Sequence, residues 1–129
     1  MKKIISTHKG AAPQFPYSQA VLADNTLYIS GQIGLDAATI QLRDGVEAQT
    51  RQAMENVGHI LEAAGMAFTD VVKLTVLLAD MNDFAKVNDV YKTFFTGDFP
   101  ARVAYQAAAL PIGARVEIEG IAVKSNSSL

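Results

Sequence analysis

The chain has 129 residues, of which 50% are hydrophobic and 19% charged, with a formal net charge of -2 and no cysteine. This length fits one domain, residues 1–129, with a core large enough to fold without disulfides. The absence of cysteine excludes disulfides, thiolate nucleophiles and cysteine-based zinc sites, and the two histidines match no metal-ligand spacing. The scattered lysines and arginines argue against nonspecific nucleic-acid binding, which needs a concentrated basic surface.

The chain also lacks the patterns of a membrane or secreted protein. Its apolar runs are too short to span a bilayer. The N-terminal sequence MKKIISTHKG makes a poor secretory signal because its apolar run is only two residues long. We therefore expect a cytoplasmic location, with mitochondria as the alternative.

The first predicted elements are a short strand at 3–7 and a proline-containing loop after it. Pro13 and Pro16 exclude a helix there, and the loop is either ordered or flexible on the sequence alone. Pro16 stiffens the backbone directly before Tyr17. The Tyr17 side chain is either a packing residue or part of a site.

A β-hairpin is predicted next, with strands at 20–23 and 26–30 separated by a turn of Asp-Asn. Ser30 and Gly31 lie where the second strand ends. A glycine at this position permits either a β-bulge or the close approach of a ligand to backbone N–H groups.

The hydrophobic periodicity predicts a long helix at about 45–64, with Asp44 and Glu47 as a capping box and Gly65 as the stop signal. Its expected buried stripe is Val46, Thr50, Ala53, Val57, Ile60, Leu61 and Ala64.

A central strand and a second helix follow. The strand is predicted at 71–79, with an apolar face formed by Val72, Leu74, Val76 and Leu78. The second helix stops before Gly97, and its expected buried stripe is Phe84, Val87, Tyr91 and Phe94. Asn88 lies beside this stripe, where its amide either faces solvent or forms a hydrogen bond across an interface.

Two charged residues stand out in the segment 99–123, which otherwise alternates like two strands. If these strands pair as antiparallel neighbours, Arg102 lies opposite Glu117. On spacing alone, such a pair is a cross-strand ion pair that contributes about 0.2 to 1 kcal/mol. The polar segment SNSSL after the last strand is expected to fray.

The order of elements predicts an α+β fold, a mixed β-sheet with both helices packed on one face. The other face of the sheet is left without cover from this chain. Self-association is the natural way for so short a chain to cover it.

Five segments resemble the RidA family, also called YjgF or UK-type perchloric-acid-soluble proteins. They are PYSQA at 16–20, ISGQI at 29–33, NDFAKVN at 82–88, FPAR at 99–102 and EIEGIAV at 117–123. The similarity covers nearly the whole chain. It implies a chorismate-mutase-like subunit in a homotrimer, with three clefts between subunits.

The resemblance also implies an activity, that of a 2-iminobutanoate/2-iminopropanoate deaminase, a hydrolase acting on C–N bonds. Such an enzyme converts 2-imino acids and their enamine tautomers to 2-oxo acids and ammonia, and no cofactor or metal is expected. Carried across, Arg102 binds the substrate carboxylate and Glu117 holds the attacking water. The remaining implied cleft residues are Tyr17, Ser30, Gly31, Asn88 and Ala104. Arg102 and Glu117 are then expected to share a cleft.

The sequence departs from the family pattern at two positions. Bacterial members often have cysteine where this chain has Ala104, so any role of this position is in backbone or shape. Phe15 stands where glycine commonly precedes the Pro-Tyr pair.

Two other functions remain open. Similar proteins have been described as endoribonucleases and translation inhibitors, although the acidic balance argues against RNA binding. A noncatalytic ligand-binding or chaperone-like trimer would use the same clefts for binding only.

Overall fold

The computed structural model describes residues 2–125, which form a six-stranded sheet with two helices packed on one face. The strands are β1 (Lys2–Ile5), β2 (Ala20–Ala23), β3 (Thr26–Ile33), β4 (Val71–Leu78), β5 (Ala101–Gln106) and β6 (Val116–Val123). The helices are α1 (Val46–Ala63) and α2 (Phe84–Tyr91), and α2 is followed by a 3-10 turn at Lys92–Phe94. The predicted α+β class and the predicted order of elements are confirmed.

Across the sheet, the strands lie in the order β1-β2-β3-β6-β4-β5. All neighbouring pairs are antiparallel except β4 and β5, which are parallel. Parallel neighbours need a crossover connection, and α2 provides it. Alternate residues of β6 are buried against the helices. The strand lies in the middle of the sheet, where β3 pairs with one of its edges and β4 with the other.

The predicted antiparallel pairing of β5 with β6 is therefore wrong, because β4 lies between them. Arg102 lies beside Leu74 of β4, and Glu117 lies beside Leu77 of the same strand. Residues three apart on a strand point to opposite faces. Arg102 is consequently on the helix-covered face, and Glu117 is on the open face.

The helix α1 packs on the sheet through the predicted stripe. Its members Val46, Thr50, Ala53, Val57, Ile60, Leu61 and Ala64 are all buried. The helix ends as predicted at Gly65, which has a φ of 73° and donates its N–H to the Glu62 carbonyl at 3.0 Å. The predicted capping box is wrong, since Gly45, with a φ of 90°, takes the N-cap position and Asp44 lies one residue too early.

The strand β4 is central, as predicted, but its first residues do not follow the predicted alternation. A register shift between Val71 and Lys73 interrupts the pairing with β6. Val71 is buried in consequence, and Val72, predicted to face the core, is exposed. From Leu74 onward the alternation holds, and Leu74, Val76 and Leu78 are buried.

The open face of the sheet carries apolar side chains that no part of residues 2–125 covers. Exposed members are Tyr28, Val103, Tyr105 and Val123. Within the same residues, no helix has the length and apolar content needed to cross a membrane. The segment predicted to fray lies, from residue 126, outside the described residues.

Candidate active site

Arg102 lines a small cavity at the edge of the sheet, between β5 and α2. The volume is about 300 Å³, and we call this space the arginine cavity; its lining residues are Asn88, Tyr91, Lys92, Phe99, Pro100 and Arg102. Arg102 donates from Nη1 to Asn88 Oδ1 at 2.7 Å. Its Cζ atom lies 4.8 Å from the centre of the Tyr91 ring and 5.5 Å from the centre of the Phe84 ring.

These contacts fix the guanidinium before any ligand arrives. Aromatic faces attract a cation within about 6 Å, and the Asn88 bond sets the rotation of the group. A guanidinium has five N–H donors, so most of them stay available for a planar carboxylate. The arginine cavity is therefore suited to binding a carboxylate.

Tyr91 has a second unusual property. Its hydroxyl is the buried side-chain polar atom that lacks a hydrogen-bond partner within residues 2–125. Burial raises the pKa of this hydroxyl, and the charge of Arg102 partly opposes the effect. The hydroxyl consequently stays protonated beside the guanidinium at neutral pH.

Glu117 lines a larger cavity on the open face of the sheet. This glutamate cavity has a volume of about 690 Å³, and its lining includes Tyr17, Ser30, Gly31, Glu117 and Glu119. A Cβ atom on residue 31 would collide with the Glu117 carboxylate, so the glycine makes room for this side chain. A register shift between Ile29 and Gln32 interrupts the pairing with β6, which agrees with a β-bulge, one of the two alternatives that Gly31 left open.

The Glu117 carboxyl has a perturbed pKa. Burial raises the pKa of this carboxyl, and the neighbouring Glu119 carboxylate raises it further. Among residues 2–125, no hydrogen bond or ion pair engages the Glu117 side chain. A carboxylate with a raised pKa accepts a proton more readily from a bound water.

The loop that carries Tyr17 is held by a buried glutamine. Gln19, which is 3% exposed, accepts from the Thr7 N–H at 2.7 Å and donates to the Thr7 and Ala11 carbonyls. Ser30 donates from its hydroxyl to the Ser18 carbonyl at 2.6 Å. Ser30 therefore anchors the loop, and the alternative of an ordered loop is the correct one.

The structure divides the predicted cleft residues into two groups. Arg102 and Asn88 meet in the arginine cavity, whereas Tyr17, Ser30, Gly31 and Glu117 line the glutamate cavity. The predicted cleft shared by Arg102 and Glu117 is thus absent within residues 2–125 of one chain, and so is the alternative ion pair between them.

Ala104 lines neither cavity. It lies two residues after Arg102 on the same face and packs, partly buried, against the core.

Sequence reasoning missed the contact of Phe84 and Tyr91 with Arg102. Both aromatics were expected in the buried stripe of α2, and with Asn88 they have the three- and four-residue spacing of one helical face. That spacing could have grouped the three residues. The sequence contained no signal that the group would receive an arginine from β5.

The described residues offer no metal site. Within 2–125, no group of three or more His, Cys, Asp or Glu side chains is arranged to hold a metal ion.

The sequence is similar to a protein family and to named proteins over nearly its whole length. A family model described as endoribonuclease L-PSP matches residues 7–124. The 2-iminobutanoate/2-iminopropanoate deaminase of Bos taurus is 62% identical over 125 residues, which cover 96% of this chain and 91% of that protein. The protein of the same name in Homo sapiens is 56% identical over 125 residues, with the same coverage.

Solved structures agree with the fold. RidA from an Antarctic Psychrobacter species is 49% identical, with a TM-score of 0.92 and coverage of 94% of this chain and 98% of that chain. The structure of E. coli TdcF with bound serine is 40% identical, with a TM-score of 0.93 and coverage of 95% and 99%. The sequence motifs, the fold and these identities lead to one conclusion: the chain belongs to the RidA/YjgF family, the family that is also described as endoribonuclease L-PSP.

Proposed function

We propose that the protein hydrolyses 2-imino acids, including 2-iminobutanoate and 2-iminopropanoate, to 2-oxo acids and ammonia. The observation that carries this proposal is the pair of cavities, one with a fixed guanidinium and the other with a carboxylate of raised pKa. Relatives more than half identical to this chain are named for this reaction. The serine bound to E. coli TdcF has a carboxylate next to a nitrogen-bearing carbon, as a 2-imino acid has.

The reaction needs both groups at one substrate, so we propose that two copies of the chain build each site. The arginine cavity of one subunit would face the glutamate cavity of the next. Such a contact joins two different surfaces, and a head-to-tail contact of this kind forms a ring when the rotation from one subunit to the next closes. A homotrimer with three sites fits this arrangement, and it would also cover the apolar open face of the sheet.

In the proposed site, Arg102 binds the substrate carboxylate through two parallel charge-assisted hydrogen bonds. Asn88 holds the guanidinium rather than the substrate, since its Oδ1 atom accepts from Arg102. Tyr17 and the backbone N–H of Gly31 supply donors near the imine from the neighbouring subunit. Ala104 gives shape beneath the arginine, because its methyl group packs into the core.

Glu117 then activates the water. The reacting imine is protonated on nitrogen. The carboxylate accepts a proton as the water oxygen bonds to the imine carbon, and the electron pair of the C=N bond moves to nitrogen, which gives a tetrahedral carbon bearing a hydroxyl and a neutral amine. The new carboxylic acid returns its proton to the amine. The C–N bond then breaks, ammonia leaves with the bonding electrons, and the hydroxyl loses its proton to the Glu117 carboxylate as the C=O bond of the 2-oxo acid forms. Positioning and one general base are sufficient, since free imines already hydrolyse in water.

The test couples the protein to a threonine dehydratase and follows the imine spectroscopically. We expect wild-type protein to speed the loss of imine, and we expect Arg102→Ala to lower kcat/KM by on the order of 100-fold, the cost of removing one partner of a buried charge pair. Glu117→Gln should still bind a 2-oxo acid but hydrolyse slowly. Arg51→Ala and Glu55→Gln are matched controls, because both residues are exposed on α1.

The same assay separates the competing functions. An unchanged rate of imine loss with wild-type protein would indicate a noncatalytic binder. The description of the family as an endoribonuclease favours a test for RNA cleavage. Cleavage that persists in Arg102→Ala at equal purity, with no effect on imines, would support the nuclease and contradict the deaminase.

A further inference from the structure

Three large apolar side chains are exposed around the glutamate cavity. Phe15 is 71% exposed, Ile112 is 65% exposed and Ile40 is 39% exposed. All three line the same cavity as Glu117. Grouped apolar side chains that remain in contact with water mark a surface that a ligand or another protein covers. We call these three residues the apolar wall.

Two members of the wall have a backbone conformation that isoleucine rarely adopts. Ile40 has a φ of 55°, and Ile112 has a φ of 48°. In this left-handed region a β-branched side chain is strongly disfavoured, and such residues occur mainly at functional sites. Local hydrogen bonds maintain both turns: Ile40 donates its N–H to the Asp36 carbonyl at 2.9 Å, and Ala114 donates its N–H to the Pro111 carbonyl at 2.9 Å.

An ion pair also holds the turn around Ile40. Arg43 Nη2 lies 2.6 Å from Asp36 Oδ2, and the other Asp36 carboxylate oxygen accepts from the Ala38 and Thr39 N–H groups. The side chain of Ile40 is thus held beside the cavity. A fixed wall can discriminate between substrates of different shape, whereas a mobile one adapts to each of them.

The cavity is large for the small imines. Cavities for drug-sized ligands measure about 300 to 1,000 Å³, and the glutamate cavity has about 690 Å³. The imines formed from serine and threonine carry only a methyl or an ethyl group beyond the reacting carbon. Within one subunit, such a group would leave most of the apolar wall uncovered.

We propose that this site prefers 2-imino acids with large apolar side chains, branched aliphatic or aromatic, and that Phe15, Ile40 and Ile112 determine this specificity. The inference depends on the proposed deaminase function. With the carboxylate on Arg102 of the adjoining subunit and the imine carbon at Glu117, the substrate side chain extends along the apolar wall. The wall belongs to the same chain as Glu117, so the distance from the base to the wall is set within one subunit.

An amino-acid oxidase can supply the imines of leucine, phenylalanine and alanine under identical conditions. Semicarbazide can trap the imine that the protein has not hydrolysed. For wild type, we expect kcat/KM for the leucine and phenylalanine imines to exceed that for the alanine imine by roughly tenfold or more, because each buried methylene adds discrimination. In Phe15→Ala and Ile112→Ala, this ratio should fall by at least about fivefold. The matched control is Ile4→Ala, since Ile4 is 51% exposed on β1 and lines neither cavity.

Three outcomes would overturn the inference. Wild type with equal kcat/KM for all imines, or wall variants that keep the wild-type ratio, would show that the wall does not contact the substrate. Wall variants that lose the oligomer by size-exclusion chromatography, with an unchanged substrate ratio, would assign the wall to an interface between copies. Failure to hydrolyse any imine would instead remove the proposed function itself, so the two failures are distinguishable.

Discussion

The two cavities differ in how their charged groups are held. In the arginine cavity the guanidinium is fixed by an amide and two aromatic rings, and the volume is about 300 Å³. In the glutamate cavity the volume is about 690 Å³, and burial, with the Glu119 charge added to it, raises the pKa of the Glu117 carboxyl. A group that only binds benefits from being fixed, whereas a group that moves a proton benefits from a perturbed pKa. In the proposed mechanism, binding and proton transfer are thus separated onto opposite faces of one sheet.

The largest expected effect tests whether the two cavities work together across subunits. Arg102→Ala and Glu117→Gln should each be nearly inactive alone. After the two variants are refolded together in equal amounts, about one quarter of the wild-type activity should return, because each site takes its arginine from one subunit and its glutamate from the next. Imine loss measured on the mixture, with its size checked by chromatography, provides the test.

A matched mixture controls for refolding. Arg102→Ala refolded with the double variant Arg102→Ala/Glu117→Gln contains no Arg102 and should remain inactive. If the first mixture assembles to the wild-type size and is no more active than its parents, the two residues do not complete one site across subunits.

A smaller effect tests whether the aromatic rings packed against Arg102, those of Phe84 and Tyr91, make the arginine cavity a binding site. Tyr91→Leu should raise KM several-fold with little change in kcat, since a cation–π contact contributes about 0.5 to 2 kcal/mol and acts before the chemical step. Tyr91→Phe keeps the ring and should keep the wild-type KM.

Thermal unfolding of both variants separates packing from positioning. Removing the Tyr91 hydroxyl should not lower stability, because this buried group has no hydrogen-bond partner to lose among residues 2–125. If Tyr91→Phe raises KM as much as Tyr91→Leu does, the hydroxyl and not the ring is the important group.

Local patterns predicted most of the fold, because a helix or strand depends on the spacing of nearby apolar residues. The hairpin needed only a turn signal and alternation: the first strand has the predicted bounds 20–23, and the second begins at 26 as predicted but extends to Ile33 instead of ending at residue 30. The pairing of β5 with β4 could not be derived this way, since it depends on a crossover through α2. The mistaken β5–β6 pairing followed from treating strands that are consecutive in sequence as neighbours in space.

In the candidate site, too, the sequence identified individual residues but not their arrangement in space. Arg102 and Glu117 were identified as unusual because charge interrupts two apolar strands, and that signal is local. Their separation onto opposite faces is a consequence of the strand order. Likewise, the role of Gln19 depends on carbonyl and N–H groups of residues 7 and 11, which a single sequence does not connect.

The smallest expected effect concerns the perturbed carboxyl of the glutamate cavity. Glu117 must be ionised to accept a proton, so activity should fall as the pH is lowered through its raised pKa. Glu119 is one of the two causes of that raised pKa, and its charge acts by repulsion. Glu119→Gln should therefore lower the pKa of Glu117 and move the acid limb of the kcat/KM profile to lower pH.

The size of this displacement should depend on salt, which distinguishes a charge effect from a change in cavity shape. Glu119 is exposed at the rim, and repulsion between exposed charges decays over a distance of about 10 Å at 0.1 M ionic strength. The displacement should be larger in dilute buffer and shrink as salt is added, whereas Glu47→Gln on α1 should leave the limb unmoved. An acid limb that is identical in wild type and Glu119→Gln at low salt would contradict a role for the second charge. Burial alone would then raise the pKa of Glu117, through desolvation of its carboxylate.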